Sequence, residues 1–252
     1  MKYAIITGVS KGLGESVGEL FLESGINVIG ISRNNNTRLS KIAEENRVIY
    51  KHYSCDLGNT KVIEETLESI YGQLFSNDPT LIYLINNAAV LEPIDQAMNI
   101  NNADLEYHVQ VNMIAPMILM NSLLKKTTEF EISFVGVTIT SGAGERPVYG
   151  WSAYCSTKAS MNIYTKTVAL EQYELGTDNK IIAFNPGIMD TDMQARIRES
   201  SRDAFIEIET FKDYKKHNDL RDTDVIGEIL FDILTDQSTI ENGKIYSVKD
   251  YL

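Results

Sequence analysis

Seven short apolar runs recur along the chain, and helical spacing fills most of the gaps between them. This alternation limits the folds open to the sequence. The runs are YAIIT (Tyr3 to Thr7), VIGIS (Val28 to Ser32), VIYKHYS (Val48 to Ser54), LIYLIN (Leu81 to Asn86), ISFVGVTIT (Ile132 to Thr140), IIAFN (Ile181 to Asn185) and KIYSV (Lys244 to Val248). Helical patterns fall at about Glu15 to Glu23, through Leu39, Ile42 and Ala43, at Thr60 to Leu74, at about Asp104 to Leu124, around Tyr154 and Lys158, and near Asp224 to Leu234. β-rich strands that are apolar on both faces and separated by helices predict a parallel sheet covered on both sides. No Pro/Gly/Ser-rich linker or compositional break interrupts the pattern. Residues 1–252 are therefore expected to form a single domain, a doubly wound α/β fold with a seven-stranded parallel sheet of the Rossmann type. Such a sheet binds ligands beyond the carboxyl ends of its strands.

Composition narrows the partners. A formal net charge of -12 would repel phosphate backbones, so nucleic acid is not an expected partner. The opening MKYAIITG carries one basic residue and an apolar run too short for a signal peptide, and no later window supplies about 18 uninterrupted apolar residues. The expectation is a cytoplasmic protein with no membrane partner. Cys55 and Cys155 are too few for a disulfide framework and are expected as free thiols. His52, His108 and His217 lack the short spacing of a metal site, so no metal is expected.

The first apolar run ends in TGVSKGLGE, which sets Gly8, Gly12 and Gly14 in the order G-x-x-x-G-x-G. Glycines at a strand-to-helix turn let backbone N–H groups approach a pyrophosphate, and the helix beginning there offers its positive dipole end. About 20 residues on, where an acid would hold the ribose hydroxyls of NAD, the sequence reads ISRNNN and supplies no carboxylate until Glu44. Arg33 and Lys11 instead offer two cations suited to a 2′-phosphate, which favours NADP(H) as cofactor.

The stretch AYCSTKAS (Ala153 to Ser160) places Tyr154 and Lys158 at i and i+4 on one helical face. With 13 tyrosines in the chain, chance alone supplies nearly one such pair, so its neighbours decide its meaning. Those neighbours resemble the short-chain dehydrogenase/reductase family over nearly the whole chain. The matching pieces are TGVSKGLG, Asp56-Leu57, NNAA (Asn86 to Ala89), Asn112, Ser141, Tyr154-x-x-x-Lys158 and NPGIMDT (Asn185 to Thr191). Ser141 precedes Tyr154 by the interval usual in that family; Ala89 stands where glycine is common. Within the family, SGAG…GWSAYCSTKA and PGIMDTDMQ are most similar to the sepiapterin and benzil reductases. Sepiapterin enzymes carry an aspartate on the last strand where this chain has Ser247, with Asp250 three residues later, so an aryl ketone or diketone is a more plausible substrate than a pterin.

The resemblance implies a catalytic set of Asn112, Ser141, Tyr154 and Lys158. Tyr154 would donate a proton to a carbonyl receiving hydride, Ser141 would hydrogen-bond its oxygen, and Asn112 would orient a water linking Lys158 to solvent. Lys158 would hold the nicotinamide ribose and lower the Tyr154 pKa; two charges near 4 Å at an effective dielectric of 20 interact by roughly 4 kcal/mol. The resemblance also implies cofactor contacts from Gly8, Ser10, Lys11, Gly12, Leu13, Gly14 and Arg33 in the first half of the site. Asp56 and Leu57 would cradle adenine, the lesser alternative for Asp56 being a helix N-terminal acid. Asn87 and Ala88 would line the ribose side, and Pro186, Gly187, Ile188 and Thr191 the carboxamide and pyrophosphate. Trp151 reads either as packing or as a substrate wall. The charged segment at about 189–221, with Phe205, Ile208 and Phe211 at helical spacing, reads either as an exposed amphipathic helix or as a substrate lid. The family's habit of associating through the helices bearing Asn112 and Tyr154 implies a homodimer. A small-molecule carbonyl substrate is expected; a non-catalytic NADP(H) sensor is the alternative from another class.

Overall fold

A computed structural model describes residues Met1–Leu252. Strands and helices alternate as β1 (Lys2–Thr7), α1 (Leu13–Glu23), β2 (Asn27–Ser32), α2 (Thr37–Asn46), β3 (Tyr50–Ser54), α3 (Thr60–Leu74), β4 (Leu81–Asn86) and α4 (Asn102–Val109). They continue as α5 (Ala115–Glu129), β5 (Ser133–Ile139), α6 (Ser152–Glu174), β6 (Lys180–Asn185), α7 (Asp192–Glu199), α8 (Ile208–Lys216), α9 (Thr223–Thr235) and β7 (Ile245–Ser247). The seven strands form one sheet in the order β3-β2-β1-β4-β5-β6-β7, and all six pairings are parallel. After β3 the chain crosses back to pair β4 with the free side of β1, so the winding reverses between these two strands. Their carboxyl ends, Thr7 and Asn86, therefore open onto a crevice.

Strands β1, β2 and β4 are buried along nearly their whole length because helices cover both faces. Side-chain alternation divides them between two layers. Ala4 and Ile6 pack with Phe21 of α1, Leu39 of α2 and Leu230 of α9, whereas Tyr3 and Ile5 pack with Ile70 of α3, Leu119 of α5 and Val168 of α6. At ~1.5–3 kcal/mol for each large apolar side chain removed from water, these layers dominate the stability of the sheet. β3 departs from the two-sided apolar pattern: only part of each residue is covered, as suits an edge strand, and regular pairing begins at Tyr50 rather than Val48.

The long helix expected from about Asp104 to Leu124 is interrupted. Between α4 and α5, residues Gln110–Ile114 form a π-helical turn, with the Ala115 N–H donating to the Gln110 carbonyl. Pro116 supplies a reason. It has no N–H to donate to the carbonyl of Asn112, four residues earlier, and its ring crowds that carbonyl, so a regular α-ladder cannot pass this point.

The segment 189–221 folds as two helices, α7 and α8, and not as a single exposed amphipathic one. Its ends are pinned together: the Asp190 N–H donates to Arg221 O and the Arg221 N–H to Ile188 O. Phe205, Ile208 and Phe211 are buried in a cluster with Trp151, Tyr154, Leu91 and Val148. No helix is long and apolar enough to cross a membrane.

Candidate active site

A cavity of about 800 Å³ opens beyond the carboxyl ends of the strands. Its lining runs from the loop after β1 to the segment containing α7 and α8. It includes Gly8, Ser10, Lys11, Gly12, Leu13, Arg33, Asp56, Leu57, Asn87, Ala88, Ser141, Trp151, Tyr154, Lys158, Pro186, Gly187, Ile188 and Thr191. Two residues expected there, Gly14 and Asn112, do not line it. A Cβ on Gly14 would stand 2.4 Å from the Gly8 carbonyl oxygen, so this glycine lets α1 pack against the loop and does not itself face the cavity.

One end of the cavity fits a dinucleotide. Gly12, at φ 61°, ψ −145°, turns the chain into α1 and leaves the helix without a side-chain cap, so the first-turn N–H groups are available to an anion. Arg33 is exposed at the cavity edge after β2. Lys11 differs from expectation: its ammonium is ion-paired with Asp192 at the start of α7, so a phosphate would have to compete for it. Asp56 is not the helix-capping acid. The Asn59 side chain caps α3 by accepting from the Val62 N–H, while Asp56 accepts from the Gly58 N–H at 2.9 Å and the Tyr107 hydroxyl at 3.3 Å. The field of Arg33 also reaches Tyr107, opposing the rise that burial imposes on its phenol.

Tyr154, Lys158 and Ser141 meet at the other end. Tyr154 and Lys158 occupy adjacent turns of α6, and Ser141 follows β5, its Oγ accepting from the Ala143 N–H at 3.2 Å. Lys158 is buried, donates to the Ile139 carbonyl at 2.7 Å, and holds its Nζ 5.6 Å from the centre of the Tyr154 ring. Burial pushes the Tyr154 phenol up to about 12 against a smaller opposing hydrogen bond with Ser141, and pushes the Lys158 ammonium down to about 8. Loss of water thus dominates both groups in this geometry, and the Tyr154 phenol is raised where a lowering by Lys158 was expected.

Asn112 lies within the π-turn, and its side chain is fully engaged. Oδ1 accepts from the Val90 N–H at 2.8 Å, and Nδ2 donates to the Val90 carbonyl at 2.7 Å and to His108 Nε2 at 3.0 Å. Its backbone carbonyl lacks the usual i+4 donor, because Pro116 has no N–H.

Trp151 is both packing and wall. Its ring stacks on Phe205 at 4.9 Å and 14°, stands edge-on to Tyr154 at 5.4 Å, and lines the cavity. Sequence reasoning missed other wall residues, among them Glu92, Tyr107, Met193, Gln194, Tyr214 and Lys249. Met193, Gln194 and Tyr214 enter only because the segment carrying α7 and α8 folds back over the sheet, and no local spacing announces that.

The family model for the short chain dehydrogenases matches residues 2–202. The chain belongs to this family. As a short chain dehydrogenase it is an oxidoreductase acting on C=O or CH–OH groups with a nicotinamide cofactor. It is 36% identical over 252 residues to a benzil reductase ((S)-benzoin forming) of Bacillus subtilis (strain 168), covering 100% of each chain. The enzyme of the same name from Bacillus cereus is also 36% identical, over 234 residues that cover 93% of this chain and 94% of that one. A 4-hydroxyisoleucine dehydrogenase complexed with NADH shares the fold at a TM-score of 0.80 and 22% identity, covering 98% of this chain and 96% of that one.

Proposed function

We propose that the protein is an NADPH-dependent carbonyl reductase whose substrate is an aryl ketone or 1,2-diketone, benzil-like, giving a hydroxyketone of the (S)-benzoin type. The observation that carries this reading is the placement of Tyr154: it lines the cavity with Ser141 and Lys158 and is flanked by the aromatic wall of Trp151 and Phe211. The full-length likeness to two benzil reductases supports the diketone assignment.

A nicotinamide cofactor bound in this cavity would supply the hydride that the carbonyl carbon accepts. Tyr154 donates the proton that the carbonyl oxygen must gain, and Ser141 hydrogen-bonds that oxygen as negative charge develops. A phenol held near 12 keeps its proton until an oxyanion of higher basicity forms beside it, which suits a donor. Lys158 orients the nicotinamide ribose and assists proton return to Tyr154, with the Asn112 backbone carbonyl as the station for a linking water. Gly12, Leu13 and Thr191 hold the pyrophosphate, Asp56 and Leu57 the adenine, and Arg33 the 2′-phosphate. Lys11 joins Arg33 only by leaving Asp192. Trp151, Val148 and Leu91 offer an apolar surface to an aryl group, and the 189–221 segment is a lid whose closure excludes water. The exposed Ile163, Leu170 and Tyr173 on α6 support association as a homodimer, and the free thiols Cys55 and Cys155 accord with a reducing, cytoplasmic setting.

The test is NADPH oxidation followed optically with benzil and sepiapterin side by side, and NADH as control. Benzil turnover with NADPH is the expected result. Preference for sepiapterin would replace the substrate assignment by a pterin. NADPH binding without turnover of any carbonyl would favour a sensor.

A further inference from the structure

His108 is fully buried one helical turn before Asn112, in direct contact with three elements of the site. Its Nδ1 lies 2.7 Å from the Glu92 carbonyl oxygen, and its Nε2 lies 3.0 Å from Asn112 Nδ2 and 3.2 Å from Thr157 Oγ1. The protonation pattern follows from bond bookkeeping. The Val90 N–H fixes Asn112 Oδ1 as the acceptor, so Asn112 Nδ2 points its hydrogens at the Val90 carbonyl and at His108. His108 Nε2 must then offer a lone pair, and the single ring proton sits on Nδ1 and goes to Glu92 O. On the α6 side Thr157 Oγ1 packs against the same Nε2 at 3.2 Å, its one hydrogen going to the carbonyls of Ala153 and Tyr154. The imidazole also stands edge-on to the Tyr154 ring at 6.2 Å.

We propose that His108, with Nδ1 as donor and Nε2 as acceptor, is a positioning residue for this site: through its hydrogen bonds to Glu92 and Asn112, and its packing against Thr157 and Tyr154, it fixes the 90–92 wall against the Tyr154 helix. Val90, Leu91 and Glu92 all line the cavity. Asn112 grips that wall at Val90 and His108 grips it at Glu92, from the π-turn and from the last turn of α4 before it. This rests on the catalytic reading above and adds a residue that touches neither substrate nor cofactor.

The arrangement is sensitive to protonation. An imidazolium would aim an Nε2–H at the Asn112 amide hydrogens, and the carboxamide could satisfy it only by flipping and losing both bonds to Val90. Burial, and more weakly the Lys158 ammonium on α6, hold the His108 pKa below its ordinary value. The Glu92 carboxylate, itself bonded to Arg196 at 2.6 Å, acts the other way, as does the backbone bond to Glu92 O. The remaining titratable neighbour is the Tyr154 phenol, which is neutral in this range. The neutral tautomer is thus kept at neutral pH, and its geometry is lost as pH falls through the depressed pKa.

The experiment compares His108→Phe, His108→Gln and His108→Asn with the parent enzyme, reading kcat and KM for benzil, NADPH affinity, and their dependence on pH from about 5 to 8. His108→Phe is expected to lower kcat about tenfold or more, in keeping with the cost of small misplacements, while KM and NADPH affinity stay within about twofold. His108→Gln, whose Oε1 can accept from Asn112, should recover most of kcat and lose the acidic limb; His108→Asn, which keeps only the Glu92 contact, should not recover. Equal kcat in all four proteins, equal rescue by Gln and Asn, or an unchanged acidic limb in His108→Gln would overturn the proposal. If His108→Phe does not fold, the Gln and Asn pair still decides. If the parent enzyme reduces no carbonyl, the catalytic reading fails separately. The Asn112 side-chain amide resonances in 15N spectra then decide: a pH-dependent shift lost in His108→Gln supports the positioning role, and no shift refutes it.

Discussion

Tyr154 can lose its hydroxyl without losing its packing, because the contacts with Trp151 and Lys158 are made by the ring. Tyr154→Phe is therefore expected to cut ketone reduction by about 10²-fold or more, the usual range for a positioned general acid. NADPH binding and thermal midpoint should stay close to those of the parent. Single-turnover kinetics beside fluorescence titration would check this, and unimpaired turnover would remove Tyr154 from the mechanism. Arg33 makes a different prediction. Lys11 is occupied by Asp192, so Arg33 is the free cation at the ribose end. Losing a charge-assisted bond worth ~1.5–3 kcal/mol should weaken NADPH by about tenfold or more in Arg33→Ala and leave NADH almost untouched. Equal weakening of both would refute the 2′-phosphate assignment.

At the scale of elements, the loop after β1 and the first turn of α1 act as one unit. Gly14 carries no ligand surface, yet a methyl group there would meet the Gly8 carbonyl at 2.4 Å and Asn87 Nδ2 at 2.6 Å. The first neighbour is backbone and cannot swing aside. Gly14→Ala should cost about 1–3 kcal/mol by overpacking, lowering the thermal midpoint by roughly 2–4 °C for each kcal/mol. It should weaken NADPH as the loop shifts; a Gly14→Ala protein matching the parent in both would show that α1 can move freely. These elements were legible in the sequence because strands and helices bear their signals locally: LIYLIN and Thr60 to Leu74 emerge with the bounds read from the sequence. The π-turn at Asn112 was not read, since one inserted residue scarcely alters apolar spacing, although Pro116 four residues on was a signal. His108 was overlooked for a related reason: tested only as a metal ligand, it has for partners an amide one turn away and a carbonyl in a distant loop. Lys11 misled because its acid lies 181 residues away.

For the whole molecule, access to the cavity depends on how firmly the 189–221 segment is held on the sheet. Its helical spacing was visible in the sequence, but the partners of Phe205 and Phe211 were not, for Trp151 lies on a separate element. What holds it down is a mixture of strong and weak contacts. Phe205 is wholly buried against Trp151, and truncating such a ring costs ~3–5 kcal/mol. The ion pairs Lys11–Asp192 and Glu92–Arg196, which tie the segment to the rest of the chain, join exposed side chains and add little. The backbone pairing of Asp190 with Arg221 pins both ends at one point, so an opening of the segment would leave the sheet intact. Local opening should therefore lie well below global unfolding in free energy. Hydrogen exchange is expected to be faster in α7 and α8 than in β1 and β4, and to slow in those two helices when NADPH and an unreactive ketone analogue are bound together. Phe205→Ala should speed exchange in α8 and raise KM for aryl ketones while sparing the exchange rates of the sheet. Exchange in α7 and α8 as slow as in the central strands, unaltered by ligands, would mean that this segment is a fixed wall, and access to Tyr154 would then have to be sought elsewhere along the cavity rim.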